Sequence, residues 1–290
     1  MKKKSSNLPF ILMFLIGFSL LAYPIVSNYV NSFSQSKAVS SYEQEILNMD
    51  TEDYSSYWEE ANQFNQTAIN ESQWLYLSKE NKEWYYNTLD VIGNGMMGYI
   101  EIDKIGVKLP IYHGTEDSIL QTAVGHLEGS SLPVVGEGTH SLLSGHRGLP
   151  SAVLFSELDQ LEVGDKFLIH ILGDTLTYKV YEINIVFPTE GSSIELEKGL
   201  DLCTLITCTP YGINSHRLLV HGMRVENDEV EEILNVSANA LKVNLIYVIP
   251  FVALPFLFIL LIFFLINDTA KHNKKQIEMK EREVETWEKE

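Results

Sequence analysis

Apolar residues recur at three- and four-residue steps in the N-terminal third of the chain. They give one apolar face to a helix predicted over residues 54–68, and a second short helix is predicted over 74–85. Both lie in a helical segment that we place at 37–90. We expect these helices to pack on the domain that follows rather than to bind a partner. The apolar positions are Tyr54, Tyr57, Trp58, Ala61, Phe64 and Ala68, then Trp74, Leu77, Trp84 and Tyr85.

From residue 97 onward the pattern changes to short apolar strands separated by turn residues. Gly, Pro, Asp and Asn cluster between the strands, as at 172–174 and 210–212. Seven or eight short strands in about 130 residues are typical of a closed or nearly closed β-barrel. The sequence therefore predicts a mostly β domain over 91–226. Its predicted strands are 97–102, 109–112, 141–145, 166–171, 175–186, 202–208 and 217–225.

Two long apolar runs flank these segments. The first, 8–26, follows three lysines, and the second, 243–266, precedes a group of basic residues. Each is long enough to cross a bilayer, and the second is too long for an ordinary core helix. Residues 1–36 are thus a signal or a signal anchor; we favour an uncleaved anchor because no small-residue cleavage site follows closely.

Basic residues beside both runs predict a two-span membrane protein with both termini in the cytoplasm. Residues 28–242 then lie outside the cell, with 227–242 as a linker. Residues 267–290 form a cytoplasmic tail, to which we assign no function. Membrane lipid is accordingly one expected partner.

The exported segment is strongly acidic. The whole chain has a formal net charge of −18, and residues 28–242 contain 12 Lys and Arg against 32 Asp and Glu. A nucleic-acid-binding protein needs a basic face, so nucleic acid is not an expected partner. The charge favours basic partners such as lysine-rich segments.

The chain has two cysteines, Cys203 and Cys208, in one predicted strand. At about 3.3 Å per residue their Cα atoms would lie roughly 16 Å apart on opposite faces. A disulfide requires Cα atoms within about 7 Å. We therefore predict that the two thiols are not bonded to each other, and a free thiol outside the cell suggests a function.

Three residues have settings suited to nucleophilic catalysis. Cys208 ends a strand and precedes a turn, so the sheet would hold its thiol rigidly at a surface cleft. His146 follows another strand between two glycines, and Arg217 begins the strand that returns after the turn. A strand, a turn and an antiparallel return would bring Cys208 and Arg217 together. Arginine is always protonated and offers several donors to an oxyanion.

Cys203 is predicted to be a buried core residue, and the other histidines to be structural or solvated. No histidine pair has metal-ligand spacing with a carboxylate, and no CxxC is present. Metal catalysis and cofactors are therefore not expected.

Together these motifs resemble the sortase family. Residues 204–218, TLITCTPYGINSHRL, resemble the family signature TLxTCxPYGxNxHRL, and 143–148, LSGHRG, resemble its histidine loop. Residues 94–102, NGMMGYIEI, resemble the entry to its barrel. The PYGxNxHRL ending, the stretch GHLEGSSLP at 125–133 and the second apolar run favour the pilin-polymerising class C enzymes.

The resemblance implies a closed sortase-type barrel of about eight strands and a cysteine transpeptidase without a cofactor. Cys208 would be the nucleophile that cleaves an LPXTG-like sorting signal through a thioester. His146 would be the general acid and base, and Arg217 would stabilise the oxyanion or the substrate. The implied partners are pilins or surface proteins with such signals and a lysine-bearing acceptor.

One feature departs from class C. These enzymes often carry a lid with an Asp-Pro-aromatic motif before the barrel, and we match that place to Asp90, Val91 and Ile92, where the proline and the aromatic residue are missing. A lid of these three residues would close more weakly.

Three other functions stay open at this stage. A sortase that anchors surface proteins to cell-wall peptide would use the same three residues. A non-catalytic, membrane-held assembly module would use Cys208 only as a core residue. A thiol protease would release its products to water.

Overall fold

The computed structural model describes residues 8–70, 77–188 and 199–227, together with 258–259, 262 and 277–279. The chain divides into two compact units, one formed by 1–26 and 236–290 and the other by 27–235. Helix and barrel contacts discussed below lie within the second unit. The predicted span 243–266, the linker 227–242 and the tail 267–290 fall almost entirely outside the described residues.

Helix α1, Leu8–Asn48, is continuous through the boundary that we predicted at residue 36. No glycine or proline follows Pro24 within the helix, so nothing in the sequence interrupts it. Within the described part of the chain, Ile11–Asn48 is the one helix long and apolar enough to span a membrane. Length and composition alone support this assignment, which a signal sequence would also satisfy.

Two further helices lie before the barrel. Helix α2 is Thr51–Asn70 and helix α3 is Lys79–Asn87. Ser78 caps α3 because its hydroxyl accepts a hydrogen bond from the Asn81 amide at 3.2 Å. Phe64 of α2 and Tyr85 of α3 are fully buried in the same cluster as the barrel core. The prediction that these helices pack on the following domain is therefore confirmed, although Trp74 lies outside the described residues.

Eight strands close into a barrel in the order β1-β2-β3-β4-β7-β8-β6-β5. This confirms the predicted mostly β fold. Three of the described connections contain short helices: the 3-10 helices Asp103–Ile105 and Leu158–Gln160, and helix α4, Asp117–Leu120. The strands are β1 Met96–Ile102, β2 Val107–His113, β3 Val124–His126, β4 Thr139–Ser144, β5 Lys166–Ile171, β6 Asp174–Val186, β7 Asp201–Thr209 and β8 His216–Val225.

Strand β3 is absent from the predicted strands. It has three residues, too few to show an alternating pattern, and it pairs parallel to β2 through a crossover that contains α4. The other strands match their predicted positions with shifts of at most two residues at their ends, which is where sequence patterns are least informative.

The pairing pattern fixes which strand ends lie together. Strands β1, β4, β6 and β7 run in one direction around the barrel, and β2, β3, β5 and β8 run in the other. The C-terminal ends of β4 and β7 and the N-terminal end of β8 therefore share one end of the barrel. The N-terminal end of β1 lies at the other.

The second half of α1 is fastened along the barrel. Tyr42 is buried; its hydroxyl donates to the Met97 carbonyl at 3.0 Å and accepts from the Leu172 amide at 2.8 Å. Nearer the N-terminus, the side chain of Asn31 donates to the Ser151 carbonyl at 2.9 Å. These bonds join the helix to backbone groups of the barrel and of the loop after β4.

Candidate active site

The turn between β7 and β8 brings Cys208 and Arg217 face to face. They are direct partners in the antiparallel register of these strands. The amides of Ile213 and Asn214 donate to the Pro210 carbonyl at 3.1 and 3.0 Å, which orders the turn. The predicted strand, turn and antiparallel return are therefore confirmed.

His146 follows β4, which runs parallel to β7. The Gly145 amide donates to the Ile206 carbonyl at 3.0 Å, and the Thr207 hydroxyl donates to the Gly145 carbonyl at 2.8 Å. These bonds continue the register of the two strands by one residue. His146 is thereby held level with Cys208, and the site combines residues from β4, β7 and β8.

The two cysteines have opposite environments. Cys203 is completely buried in the main core, whereas Cys208 is half-buried near the end of β7. Both are free, as the strand geometry predicted. Burial raises the pKa of the Cys203 thiol well above its usual range, so Cys203 stays protonated and inert. Exposure thus singles out Cys208 as the thiol that a substrate can reach.

His146 has a carboxylate neighbour that the sequence did not indicate. Its Nε2 atom lies 3.6 Å from Oδ1 of Asp117, an exposed residue in the first turn of α4. The backbone carbonyl of His146 accepts a hydrogen bond from the Phe155 amide at 3.1 Å. Asp117 lies outside every quoted motif, and the β2–β3 crossover brings it to the site.

Arg217 is partly buried between β7 and β6, where Val186 is its register partner. Its Nη1 donates to the His216 carbonyl at 3.2 Å. Among the residues that the structure describes, no carboxylate lies within 4.0 Å of this guanidinium. A second bond runs from the same Nη1 to the Asn214 carbonyl at 3.5 Å. A guanidinium without a carboxylate partner in the described part of the chain suits a group that binds an oxyanion.

Asp90, Val91 and Ile92, the residues of the predicted lid, make ordered contacts before β1. Asp90 Oδ1 accepts from the amides of Asn94 and Gly95 at 2.9 and 2.8 Å, which closes the turn into β1. Val91 and Ile92 pack into a cluster with α1. These contacts place the three residues at the entry to β1, and their role as a lid stays a prediction.

The buried histidines are structural. Burial lowers the pKa of His126 to about 3, so its ring is neutral. Its Nε2 lies 2.8 Å from the Ser131 carbonyl and its Nδ1 lies 2.9 Å from the Tyr85 hydroxyl of α3. The ring of His113 lies between the carbonyls of Gly95 and Thr88, 2.9 and 2.8 Å from its Nδ1 and Nε2, and burial lowers its pKa. Over the described ranges, no group of three or more His, Cys, Asp or Glu is arranged to hold a metal ion.

A barrel with a reachable cysteine, a histidine and an arginine at adjoining strand ends defines a cysteine acyl-transfer enzyme. The profile of the sortase domain matches residues 100–225. The crystal structure of sortase C1 from Streptococcus agalactiae is 47% identical with a TM-score of 0.65, and the match covers 66% of this chain and 100% of that one. Sortase C of Streptococcus pneumoniae is 39% identical with a TM-score of 0.59, covering 66% and 97%.

A curated relative gives the same result along the sequence. Sortase A of Bacillus anthracis is 27% identical over 222 residues, which are 76% of this chain and 95% of the relative. The chain belongs to the sortase family. It is a cysteine transpeptidase, and this excludes a non-catalytic assembly module. Sortases are membrane-associated, with an extracellular catalytic domain, and act on pilins and LPXTG-type surface proteins.

Proposed function

We propose that this transpeptidase joins pilin subunits to one another, with Cys208 as nucleophile, His146 as general acid and base, and Arg217 as the oxyanion-binding group. The observation that carries the proposal is the direct register pairing of Cys208 with Arg217, with His146 held level by the bonds of Gly145. Three groups with complementary chemistry thus meet at one end of the barrel.

In the first half-reaction the Cys208 thiolate attacks the threonine carbonyl carbon of an LPXTG-like signal. The carbonyl oxygen becomes an oxyanion, which the guanidinium of Arg217 stabilises by charge and by directed hydrogen bonds. His146 gives a proton to the departing glycine amine as the carbon–nitrogen bond breaks. The product is a thioester between Cys208 and the threonine acyl group.

In the second half-reaction the Nζ atom of a pilin lysine attacks the thioester. His146 accepts the proton that the amine loses, and the carbon–sulfur bond breaks to release the Cys208 thiolate. The net change is an isopeptide bond in place of a peptide bond, so no oxidant, nucleotide or metal is needed. Two steps with modest barriers replace one difficult amide exchange.

Two observations favour a pilin lysine as acceptor: the similarity of the chain to class C sortases and the negative charge of residues 28–242. The sortase C of Streptococcus pneumoniae was described together with its pilin substrate specificity, and structures of class C enzymes from several species match this chain. The excess of acidic residues over 28–242 favours the approach of a basic acceptor. Both observations favour pilin joining over attachment to cell-wall peptide.

We further propose that the chain spans the membrane twice, at 8–26 and 243–266, with both termini in the cytoplasm. The apolar, unburied part of α1 and the basic residues beside both runs support this topology. Cysteine accessibility on whole cells tests it: in a Cys208→Ala background, a thiol probe that cannot cross membranes should label a cysteine introduced at residue 235 and miss one at residue 285. Labelling at residue 285 would contradict the topology.

The acceptor is tested by competition. Full-length enzyme in detergent is given an LPXTG-like peptide with equal concentrations of a lysine-bearing pilin domain and a glycine peptide that mimics a wall-peptide amine. We expect tandem mass spectrometry to find the acyl group mainly on a pilin lysine. Transfer only to the glycine amine would support the wall-anchoring enzyme instead. Release to water that neither amine suppresses would indicate a protease.

A further inference from the structure

Arg147, the residue after His146, buries its guanidinium against strand β7. The side chain is 7% exposed. Its Nη1 donates to the Thr209 hydroxyl at 3.2 Å, and its Nη2 forms an ion pair with Asp159. Its Cζ lies 5.8 Å from the ring centroid of Tyr211 in the β7–β8 turn. One side chain therefore contacts the residue after Cys208, the turn that follows it and the 3-10 helix Leu158–Gln160.

These contacts complete a set of links around the two catalytic positions. The register of β4 with β7 ends two residues before His146 and Cys208. The Thr207 hydroxyl bonds to the Gly145 carbonyl one residue before them. The bond from the Arg147 guanidinium to the Thr209 hydroxyl links the same two segments one residue after His146 and Cys208. The loop of His146 is thus tied to the strand of Cys208 on both sides.

Burying a guanidinium costs free energy, because the charged group loses its hydration. Asp159 compensates the charge, but an apolar side chain would need no compensation. The guanidinium of arginine is planar and directs two hydrogen bonds at fixed angles, here to Thr209 and Asp159. The single ammonium group of a lysine cannot reproduce this geometry. The guanidinium here joins two segments whose separation matters for proton transfer at the site.

We propose that Arg147 is a positioning residue for transpeptidation. It holds the His146 loop on β7 at the separation that proton exchange with the amine at Cys208 requires. Arg147 acts through Thr209 and Asp159 and does not touch the substrate. The inference rests on the roles proposed above for Cys208 and His146.

The test uses full-length enzyme in detergent and compares Arg147→Met, Thr209→Val and the double variant. Thr209→Val keeps the side-chain shape and removes only the acceptor of the guanidinium bond. We expect each single variant to lower kcat about tenfold or more with KM changed less than about twofold, because small misplacements of reacting groups cost rate rather than binding. The double variant should be no worse than Arg147→Met, since both changes break one link.

Arg147→Lys separates positioning from charge. It keeps the positive charge and loses the planar geometry, so its kcat should resemble that of Arg147→Met. A kcat like that of the unchanged enzyme would show that charge alone suffices and would overturn the inference.

Arg224→Met is the matched control. Arg224 also lies over a ring, with its Cζ 6.0 Å from the Tyr178 centroid, and donates to the carbonyls of Thr177 and Val225 at 3.1 and 2.9 Å. It is near the end of β8 away from Arg217. We expect this variant to lower the melting temperature and to leave kcat per folded enzyme unchanged.

Two further results would count against positioning. One is a loss of kcat in Arg147→Met and Thr209→Val that disappears when rates are divided by the folded fraction; the other is additive losses in the double variant. Cys208→Ala, assayed in parallel, separates the inference from the proposed function. If Cys208→Ala is active, the proposed function fails; if it is inactive while Arg147→Met and Thr209→Val keep full kcat, only the positioning role fails.

Discussion

At the scale of residues, the two cysteines of strand β7 differ in exposure. Cys203 faces the core and Cys208, five positions later, lies on the other face near the strand end. Alternation along a strand is sufficient to predict this difference, and the sequence alone therefore identified the reachable thiol. The same reasoning could not identify Asp117 or the function of Arg147. Their roles depend on contacts across the barrel that no local pattern encodes.

The cysteine pair provides a matched test. Cys208→Ala should abolish both cleavage and transfer, because no other side chain can form the thioester. Cys203→Ala should keep kcat and lower the free energy of unfolding by about 1–2 kcal/mol, because it removes buried volume without touching the site. Peptide cleavage assays and urea unfolding measure the two effects. Activity in Cys208→Ala, or its loss in Cys203→Ala, would reverse the assignment of the nucleophile.

The oxyanion role of Arg217 is tested by Arg217→Lys. Lysine keeps the charge but presents a single point donor, so we expect kcat/KM to fall about a hundredfold, the size of effect seen when one oxyanion donor is lost. Steady-state kinetics with the peptide signal measures it, with the melting temperature as the control for folding. Full kcat/KM in Arg217→Lys would show that directed hydrogen bonds from this residue are not required.

At the scale of elements, helix α3 is joined to strand β3 through a buried polar network. The Tyr85 hydroxyl lies 2.9 Å from Nδ1 of His126, and it also accepts from the Gly114 amide at 3.0 Å. His126 is fully buried and its pKa is lowered to about 3. The sequence predicted a helix at one end of this network and no strand at the other, since β3 is too short for a periodic signal.

This network predicts how stability depends on pH. Below about pH 6.5 the unfolded chain takes up a proton on residue 126 and the folded chain does not, so His126 weakens stability by up to about 1.4 kcal/mol per pH unit as the pH falls towards 3. At pH 7 and above this penalty is absent. Urea unfolding between pH 7 and 5, followed by tryptophan fluorescence, measures the slope.

His126→Gln isolates that contribution. Glutamine can still donate to the Ser131 carbonyl but does not titrate, so the variant should be less stable at pH 7 and lose less stability on acidification. The slope of the unfolding free energy against pH measures how many protons the chain takes up on unfolding. Below pH 6 this number should be larger by about one in the unchanged protein than in His126→Gln. Equal slopes would mean that His126 is not held neutral in the folded protein.

At the scale of the whole molecule, sequence patterns predicted the barrel and the packed helices, and the motifs supplied the three residues proposed for the site. They placed the boundary of the membrane-proximal segment at residue 36, inside what is one continuous helix. They also placed a possible lid at Asp90, Val91 and Ile92 by matching a motif position, and that assignment stays a prediction. The directions of the strands follow from the pairing of all eight strands rather than from any local stretch of sequence.

The central claim is that an acyl group passes through Cys208 to a lysine amine. Intact-mass spectrometry of the full-length enzyme with an LPXTG-like peptide tests it most directly. We predict an increase equal to the acyl fragment, mapped to Cys208 and absent from Cys208→Ala. Adding a lysine-bearing pilin domain should then remove the adduct and create an isopeptide bond. No adduct on Cys208, or an adduct that only water resolves, would contradict the account.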